Sequence, residues 1–278
     1  MTDVFHLDEM QRALAATRFT AFTHFASIGS TNTALMRAAD SLADGTVYLA
    51  DEQTAGRGRG GHAWHSAPGD GLYLSALVRP ALPLTAALKI SLATGLAAWQ
   101  AVHELTGLSV DLRWPNDLML ASTDGTPQKK LGGILVESST TPQGQLRHAV
   151  IGIGINVHHA AFPLELAAQA SSLQLACVPH ASTPDRTTLA IAVLTALDHE
   201  LRRMEDRAYV QQEMLTRFTA HSSWALGKRV HVAEDDGYTG VTDGLDDHGF
   251  LRVAGDDGVA HTVRSGGVRE ALDSPAAH

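Results

Sequence analysis

Apolar residues in the first 160 positions fall mostly into short strand-like blocks; later they recur at helical spacing, and short strands return near the end. Residues 4–18 read as a weak amphipathic helix, and FTAFTHFASI (19–28), rich in Phe and Thr, as a strand. In GSTNTALMRAAD, Ser30, Thr31 and Asn32 all suit a helix N-cap before an Ala/Leu/Met run; the hydroxyls of Ser30 and Thr31 could equally face a ligand. GTVYLADEQ (45–53) and LYLSALVRP (72–80) are buried strands around a glycine-dense segment. The clearest helix follows, with Leu88, Leu92, Leu96, Trp99 and Val102 on one face, Thr85 as a cap and Gly107 as a stop. That periodicity predicts core packing against a sheet.

WPNDLML (114–120) is an apolar strand interrupted at Pro115, which marks a bulge, an edge or a strand end. STDGTPQ predicts a hairpin turn into KKLGGILVES (129–138), and PQGQ another into HAVIGIGINVH (148–158). Gly152 and Gly154 weaken that last strand unless a backbone or ligand comes close. Residues 163–220 are helical with a loop around 177–184, Leu189, Val193, Leu197 and Leu201 recurring every four residues. From Trp224 the runs KRVHVA, YTGVTDGL, FLRVAG and VAHTVRS, joined by acidic Gly turns, predict a small all-β barrel. The final DSPAAH is expected to fray. The chain thus divides into 1–221 and 222–278.

Charge narrows the function. With 21 Lys+Arg against 30 Asp+Glu and a net charge of −9, general nucleic-acid binding is disfavoured, because it needs a basic face. A single cysteine, Cys177, excludes an intrachain disulfide framework and fits a reducing compartment. Neither a secretory signal nor a membrane span is legible, so a cytoplasmic location is expected. The 15 histidines show no paired metal-ligand spacing.

Candidate chemistry gathers in EQTAGRGRGGHAW (52–64). Glycines at 56, 58, 60 and 61 permit close backbone approach to a ligand, Arg57 and Arg59 supply donors for phosphate or carboxylate, and Trp64 offers a flat apolar face. An anionic small molecule with a ring system fits this set; so does a solvated Gly/Arg surface loop. Asn116 and Asp117 admit a local Asx turn or a contact to ligand or Mg²⁺. Lys130 is either a solvated charge or a phosphate ligand.

Four stretches together resemble the biotin–protein ligases: STNT (30–33), EQTAGRGRGGHAW (52–64), WPNDL (114–118) with KKLGGILVE (129–137), and VIGIGINV (150–157). The resemblance covers about residues 20 to 270. It implies an α+β fold: a mixed sheet with packed helices in the catalytic part, then a C-terminal SH3-like barrel. It implies an ATP-dependent ligase that makes biotinyl-5′-AMP, releases pyrophosphate, and transfers biotin to a lysine of a biotin carboxyl carrier protein. ATP and Mg²⁺ act with biotin as substrates or activators, and no tightly bound cofactor is expected. By this resemblance Ser30, Thr31 and Gln53, with backbone near Gly56 and Arg57 and with Gly133, hold biotin. Arg57 and Arg59 hold the biotin carboxylate and phosphates, Lys130 the α-phosphate. Trp64, Asn116 and Asn156 lie by the adenylate, and Asp117 by Mg²⁺ or the acceptor lysine. Lys130, Arg59 and Asp117 carry the catalysis.

Carboxylate attack on an α-phosphate brings two anions together, so these cations match the chemistry. Gly60 stands where some relatives carry a third basic residue. Only about 20 residues precede the first strand, too few for the helix-turn-helix domain of bifunctional members, so a monofunctional form without operator binding is expected. A homodimer through the catalytic sheet is plausible by the same resemblance. Lipoate–protein ligation is the rival activity, and a non-catalytic carrier- or nucleotide-binding protein the rival class.

Overall fold

The computed structural model describes residues 3–121, 127–177, 182–206, 211–234, 236–264 and 266–271. Most of the turn expected in STDGTPQ, part of the loop expected around 177–184 and the terminal DSPAAH lie outside these residues.

Strands β1 (Ala21–Ile28), β2 (Thr46–Gln53), β3 (Gly71–Val78), β4 (Val110–Arg113), β5 (Asp117–Leu120), β6 (Lys129–Thr140) and β7 (Leu146–Asn156) form one sheet, ordered β1-β2-β3-β7-β6-β5-β4. Only β1 and β2 run parallel, which makes the sheet mixed. Parallel neighbours need a crossover, and helix α2 (Thr31–Ala38) supplies it. The expected interruption at Pro115 is a strand end: residues 114–116 turn the chain from β4 into β5.

Alternation sorts the sheet residues between two faces. Leu72, Leu74, Ala76 and Val78 of β3, with Ile151, Ile153 and Ile155 of β7, enter the main core. Helices α3 (Ala87–Thr106) and α6 (Arg186–Glu205) pack there, their buried leucines each contributing about 1.5–3 kcal/mol of transfer free energy. Tyr73, Ser75, Leu77, Gly152 and Gly154 therefore face the other side, where α2 crosses β2, β3 and β7 over a small second core of Leu35, Ala39, Leu77 and Val150. The site forms on this second face.

Helix α3 matches its periodicity and stops at Gly107 with φ 68°. Its start differs from expectation: a 3₁₀ turn over Leu84–Ala86 leads in, and no side chain, Thr85 included, caps it. The helix expected over 4–18 is confined to α1 (Leu7–Ala13). The helical stretch after 163 is broken into α4 (Leu164–Ala167), α5 (Leu173–Cys177), α6 and α7 (Gln211–Ala220). Cys177 is buried, as expected of a small apolar residue, and burial raises its thiol pKa. Among the described residues no helix is long and apolar enough to cross a membrane.

The C-terminal strands β8 (Leu226–Val232), β9 (Tyr238–Leu245), β10 (Leu251–Gly255), β11 (Ala260–Val263) and β12 (Val268–Glu270) pair antiparallel in the order β11-β10-β9-β8-β12. Where a barrel is expected from the strand spacing, the described pairing is an open five-stranded sheet with β11 and β12 at its edges. This sheet docks on the β4–β5 turn. Trp114 Nε1 donates to Gly249 O at 2.9 Å, and the Arg113 guanidinium lies 3.8 Å from the Trp224 ring centroid. Arg113 also donates to Val268 O at 3.3 Å, and Ser223 N to Asp111 Oδ1 at 2.6 Å.

Candidate active site

Three glycines open a trough across the second face of the sheet. Gly133 pairs with Gly154, and Gly152 lies between Leu135 and Ser75. A Cβ on Gly154 would stand 2.6 Å from Trp64 Nε1, and one on Gly152 would stand 2.6 Å from Asn32 Oδ1. The close approach expected at Gly152 and Gly154 is thus made by two side chains. Trp64 also rests against Gly133, and its Nε1 is buried without a partner among the described residues.

The polar end of the trough is buried and knit together. Ser30 caps α2, though its Oγ accepts from Thr33 N only at 3.4 Å. Gln53 Oε1 accepts from Thr31 N at 2.9 Å, and Gln53 Nε2 donates to Ser66 Oγ at 3.0 Å. Ser75 Oγ donates to Asn32 Oδ1 at 3.0 Å and lies 2.8 Å from Thr31 Oγ1. A hydroxyl has one proton, and Ser75 gives its own to Asn32. Thr31 Oγ1 also lies 3.1 Å from Gln53 Oε1, which can only accept, so the Thr31 proton goes to Gln53 or to Ser75 and its lone pairs stay free to accept. Asn32 Nδ2 in turn donates to Glu137 Oε2 at 2.7 Å.

The Gly/Arg segment is not an open surface loop. Gly58 N donates to His62 O and Trp64 N to Gly56 O, with Gly60 and Gly61 at positive φ at the tip. Gly56 is required where the two limbs meet: a Cβ there would stand 2.4 Å from Trp64 O. Arg57, expected on carboxylate and phosphate, instead forms a two-pronged pair with Glu137 at 2.9 and 3.1 Å. The Arg59 guanidinium makes no hydrogen bond among the described residues. Burial lowers its guanidinium pKa, against the opposing pull of Asp117 and Glu234.

Lys130 reaches this face because β6 slips register. Leu118 pairs with Gly132 but Met119 with Lys130, an irregularity at Leu131. Leu131 turns into the core, and Lys130 stands beside Gly133, with Nζ 2.6 Å from Asp117 Oδ1. Lys129 points elsewhere, its Nζ 3.5 Å from Ala167 O. Asn116 forms no Asx turn; its Nδ2 donates to Ile134 O and its carbonyl accepts from Ile134 N. Asn156 likewise spends its amide on Ser171 O at 2.9 Å.

Together these groups border a cavity of about 570 Å³, with a second of about 510 Å³ beyond Trp64 and Lys130. The first holds Ser30, Thr31, Gln53, the two arginines and Lys130; the second is walled by Met119, Phe162 and Leu166 with Asn156. Asp117 is the one acidic residue lining both. Residues Gly266–Arg269 of the C-terminal sheet close over the first cavity. Sequence reasoning gave no role to Ser75, Arg113 or that segment, which lie outside the four motif stretches, nor to Glu137, which ends KKLGGILVE. Asn32 was inside STNT yet read only as a cap. Asp117 Oδ1, 2.6 Å from Lys130 Nζ, is the counter-ion of that lysine.

Residues 24–156 match the biotin/lipoate A/B protein ligase family, and residues 225–268 match the biotin protein ligase C-terminal domain. A biotin–[acetyl-CoA-carboxylase] ligase of Mycobacterium tuberculosis is 33% identical over 81% of this chain and 80% of its own length. The bifunctional ligase/repressor BirA of Bacillus subtilis is 31% identical over 78% of this chain. The match spans 63% of that relative's length. A solved biotin protein ligase from Aquifex aeolicus, in complex with biotin and ATP, superposes with a TM-score of 0.76 at 27% identity, over 91% of this chain and all of that one.

Proposed function

We propose that this chain, which belongs to the biotin–protein ligase family, activates biotin with ATP as biotinyl-5′-AMP and passes it to a lysine of a biotin carboxyl carrier protein. The polarity of one cavity carries this reading: an uncharged hydrogen-bonding end at buried Thr31 and Ser75 and half-buried Gln53, and a cationic end at Arg57, Arg59 and Lys130. A cyclic urea has N–H donors and a carbonyl acceptor. Thr31, left as an acceptor, suits an N–H; Ser30 keeps a proton to give the carbonyl. A dithiolane ring would leave both unanswered.

At the other end one carboxylate oxygen of biotin forms a bond to the α-phosphorus. The bond from phosphorus to the β-bridging oxygen breaks, and pyrophosphate leaves. Nucleophile and electrophile are both anionic, so positioned positive charge is what the protein must supply. We place Lys130 Nζ on the α-phosphate, with Asp117 aiming the ammonium along the Gly133 trough. Arg57 and Arg59 face the carboxylate and the outgoing phosphates. The second cavity takes the adenine, with Trp64 as its ring face. Asn116 and Asn156 act indirectly, by holding the backbone at Ile134 and Ser171. Mg²⁺ comes in on the phosphates, as this ion does with few protein ligands.

In the second step the neutral amine of the carrier lysine attacks the acyl carbon. The bond to the AMP oxygen breaks, AMP leaves, and the amine gives up a proton. Asp117, at the junction of the two cavities, is the carboxylate placed to receive it. Pyrophosphate exchange into ATP, run with biotin and separately with lipoate, tests the reading. Exchange driven by biotin alone supports it; exchange with lipoate alone, or with neither, rejects it.

A further inference from the structure

We propose that Glu137 is a positioning residue that couples the two ends of the cavity, ordering the ring-binding hydroxyls and steadying the Gly/Arg loop through one carboxylate. The inference rests on the biotin-binding reading above. Glu137 lies on β6, paired with Val150 and one alternation from Leu135, so its side chain emerges on the trough face. Oε2 receives both Asn32 Nδ2 at 2.7 Å and Arg57 Nη1 at 3.1 Å; Oε1 receives Arg57 Nη2 at 2.9 Å.

Each contact has a consequence at one end. On the ring side the carboxylate accepts only, so it fixes which way the Asn32 amide faces: Nδ2 toward Glu137, Oδ1 toward Ser75. Oδ1 then takes the Ser75 proton, so Ser75 presents only lone pairs to Thr31, whose own proton goes to Ser75 or to Gln53 Oε1. Asn32 and Ser75 are 4% and 0% exposed, so water does not offer an alternative arrangement. The direction of the Ser75 hydroxyl, beside Thr31 in the cavity, is thus set by a carboxylate two bonds of the network away. On the anion side, the pair to Arg57 joins the loop to β6, and Thr33 Oγ1 accepts from the same guanidinium at 3.2 Å. An exposed ion pair by itself would matter little. Its partner here is a buried amide whose orientation has a single solution.

Glu137→Gln keeps the shape and removes the charge. A Gln amide can donate as well as accept, so Asn32 is free to flip, and the Ser75 hydroxyl beside Thr31 loses its fixed direction. The expected result is a split: biotin KM in pyrophosphate exchange rises about 10-fold or more, while kcat at saturating biotin and the KM for ATP stay within about twofold. Hydrogen exchange of residues 56–64 in the ligand-free protein should rise as well. Glu137→Asp keeps an acceptor-only group and restores part of the biotin KM. Ser75→Ala, which breaks the relay without touching Arg57, should raise biotin KM with unchanged exchange of residues 56–64; it decides the matter if Glu137→Gln does not fold. Equal loss of kcat and of ATP affinity, or biotin KM unmoved in both variants, overturns the proposal. Wild-type protein that shows no biotin-dependent exchange rejects instead the underlying biotin reading.

Discussion

The two ends of the main cavity are built on opposite plans. At the ring end the polar atoms of Thr31, Asn32 and Ser75 are buried and partnered, and they stand on α2 and the centre of the sheet. At the anion end Arg57 is exposed, the Arg59 guanidinium has no hydrogen bond among the described residues, and both ride on a glycine-rich loop. A buried, hydrogen-bonded pocket that keeps a few oriented groups for its guest discriminates, because a wrong guest leaves those groups unpaired. Side-chain cations on a loop can instead meet a substrate whose charge moves from carboxylate to phosphoanhydride. The difference assigns specificity to one end and chemistry to the other.

The largest effect should therefore come from the substrate. Biotin should be preferred over lipoate by ~10⁴–10⁵ in kcat/KM for adenylation, the penalty for unpaired polar groups at the ring end. Equal rates with the two acids would remove the distinction between the ends.

Next in size is Lys130. In Lys130→Ala adenylation should fall by ~10²–10³, since a preorganised donor at the developing charge is lost, while biotin affinity by calorimetry stays near wild type. Lys129→Ala should stay within about 0.5 kcal/mol in stability and near normal in rate. Identical behaviour of the two lysine variants would contradict the register slip at Leu131.

A smaller effect is expected at the rim. Arg269, exposed on the C-terminal segment over the cavity, should on replacement by Ala raise the KM for ATP about fivefold, near 1 kcal/mol, and leave biotin binding unchanged. The effect should shrink at high salt. A change in biotin affinity instead would extend the ring end to the C-terminal sheet.

The smallest effect is on stability. His148, His159 and His221 all have their pKa lowered from 6.5, chiefly by burial. The unfolded chain then binds more protons than the folded one below 6.5. Stability is full above that value and declines as pH falls through it toward the lowered folded pKa values. Thermal midpoints should drop on this side before the carboxylates begin to titrate. A flat profile there would mean that these rings are solvated after all.

The sequence by itself determined much of this. The spacing of Leu88 to Val102 defined α3 and Gly107 its end, since both signals are local. STNT, the Gly/Arg segment and the strand glycines all contribute residues to the wall of the main cavity. Asn156 and Asn116 show the limit: both amides border the cavities, yet their hydrogen bonds go to backbone on distant segments. The C-terminal segment Gly266–Arg269 could not be placed over the cavity from its composition, because docking depends on Trp114 meeting Gly249 across 135 residues. Lys130 is the sharpest case. Strict alternation from Gly133, Leu135 and Glu137 would send Lys130 into the core with Ile134. Pairing with β5 inserts one extra residue at Leu131, and that slip returns the ammonium to the site face. Side-chain direction along a strand is a local property, but register is set by the partner strand, so only the tertiary structure could decide it.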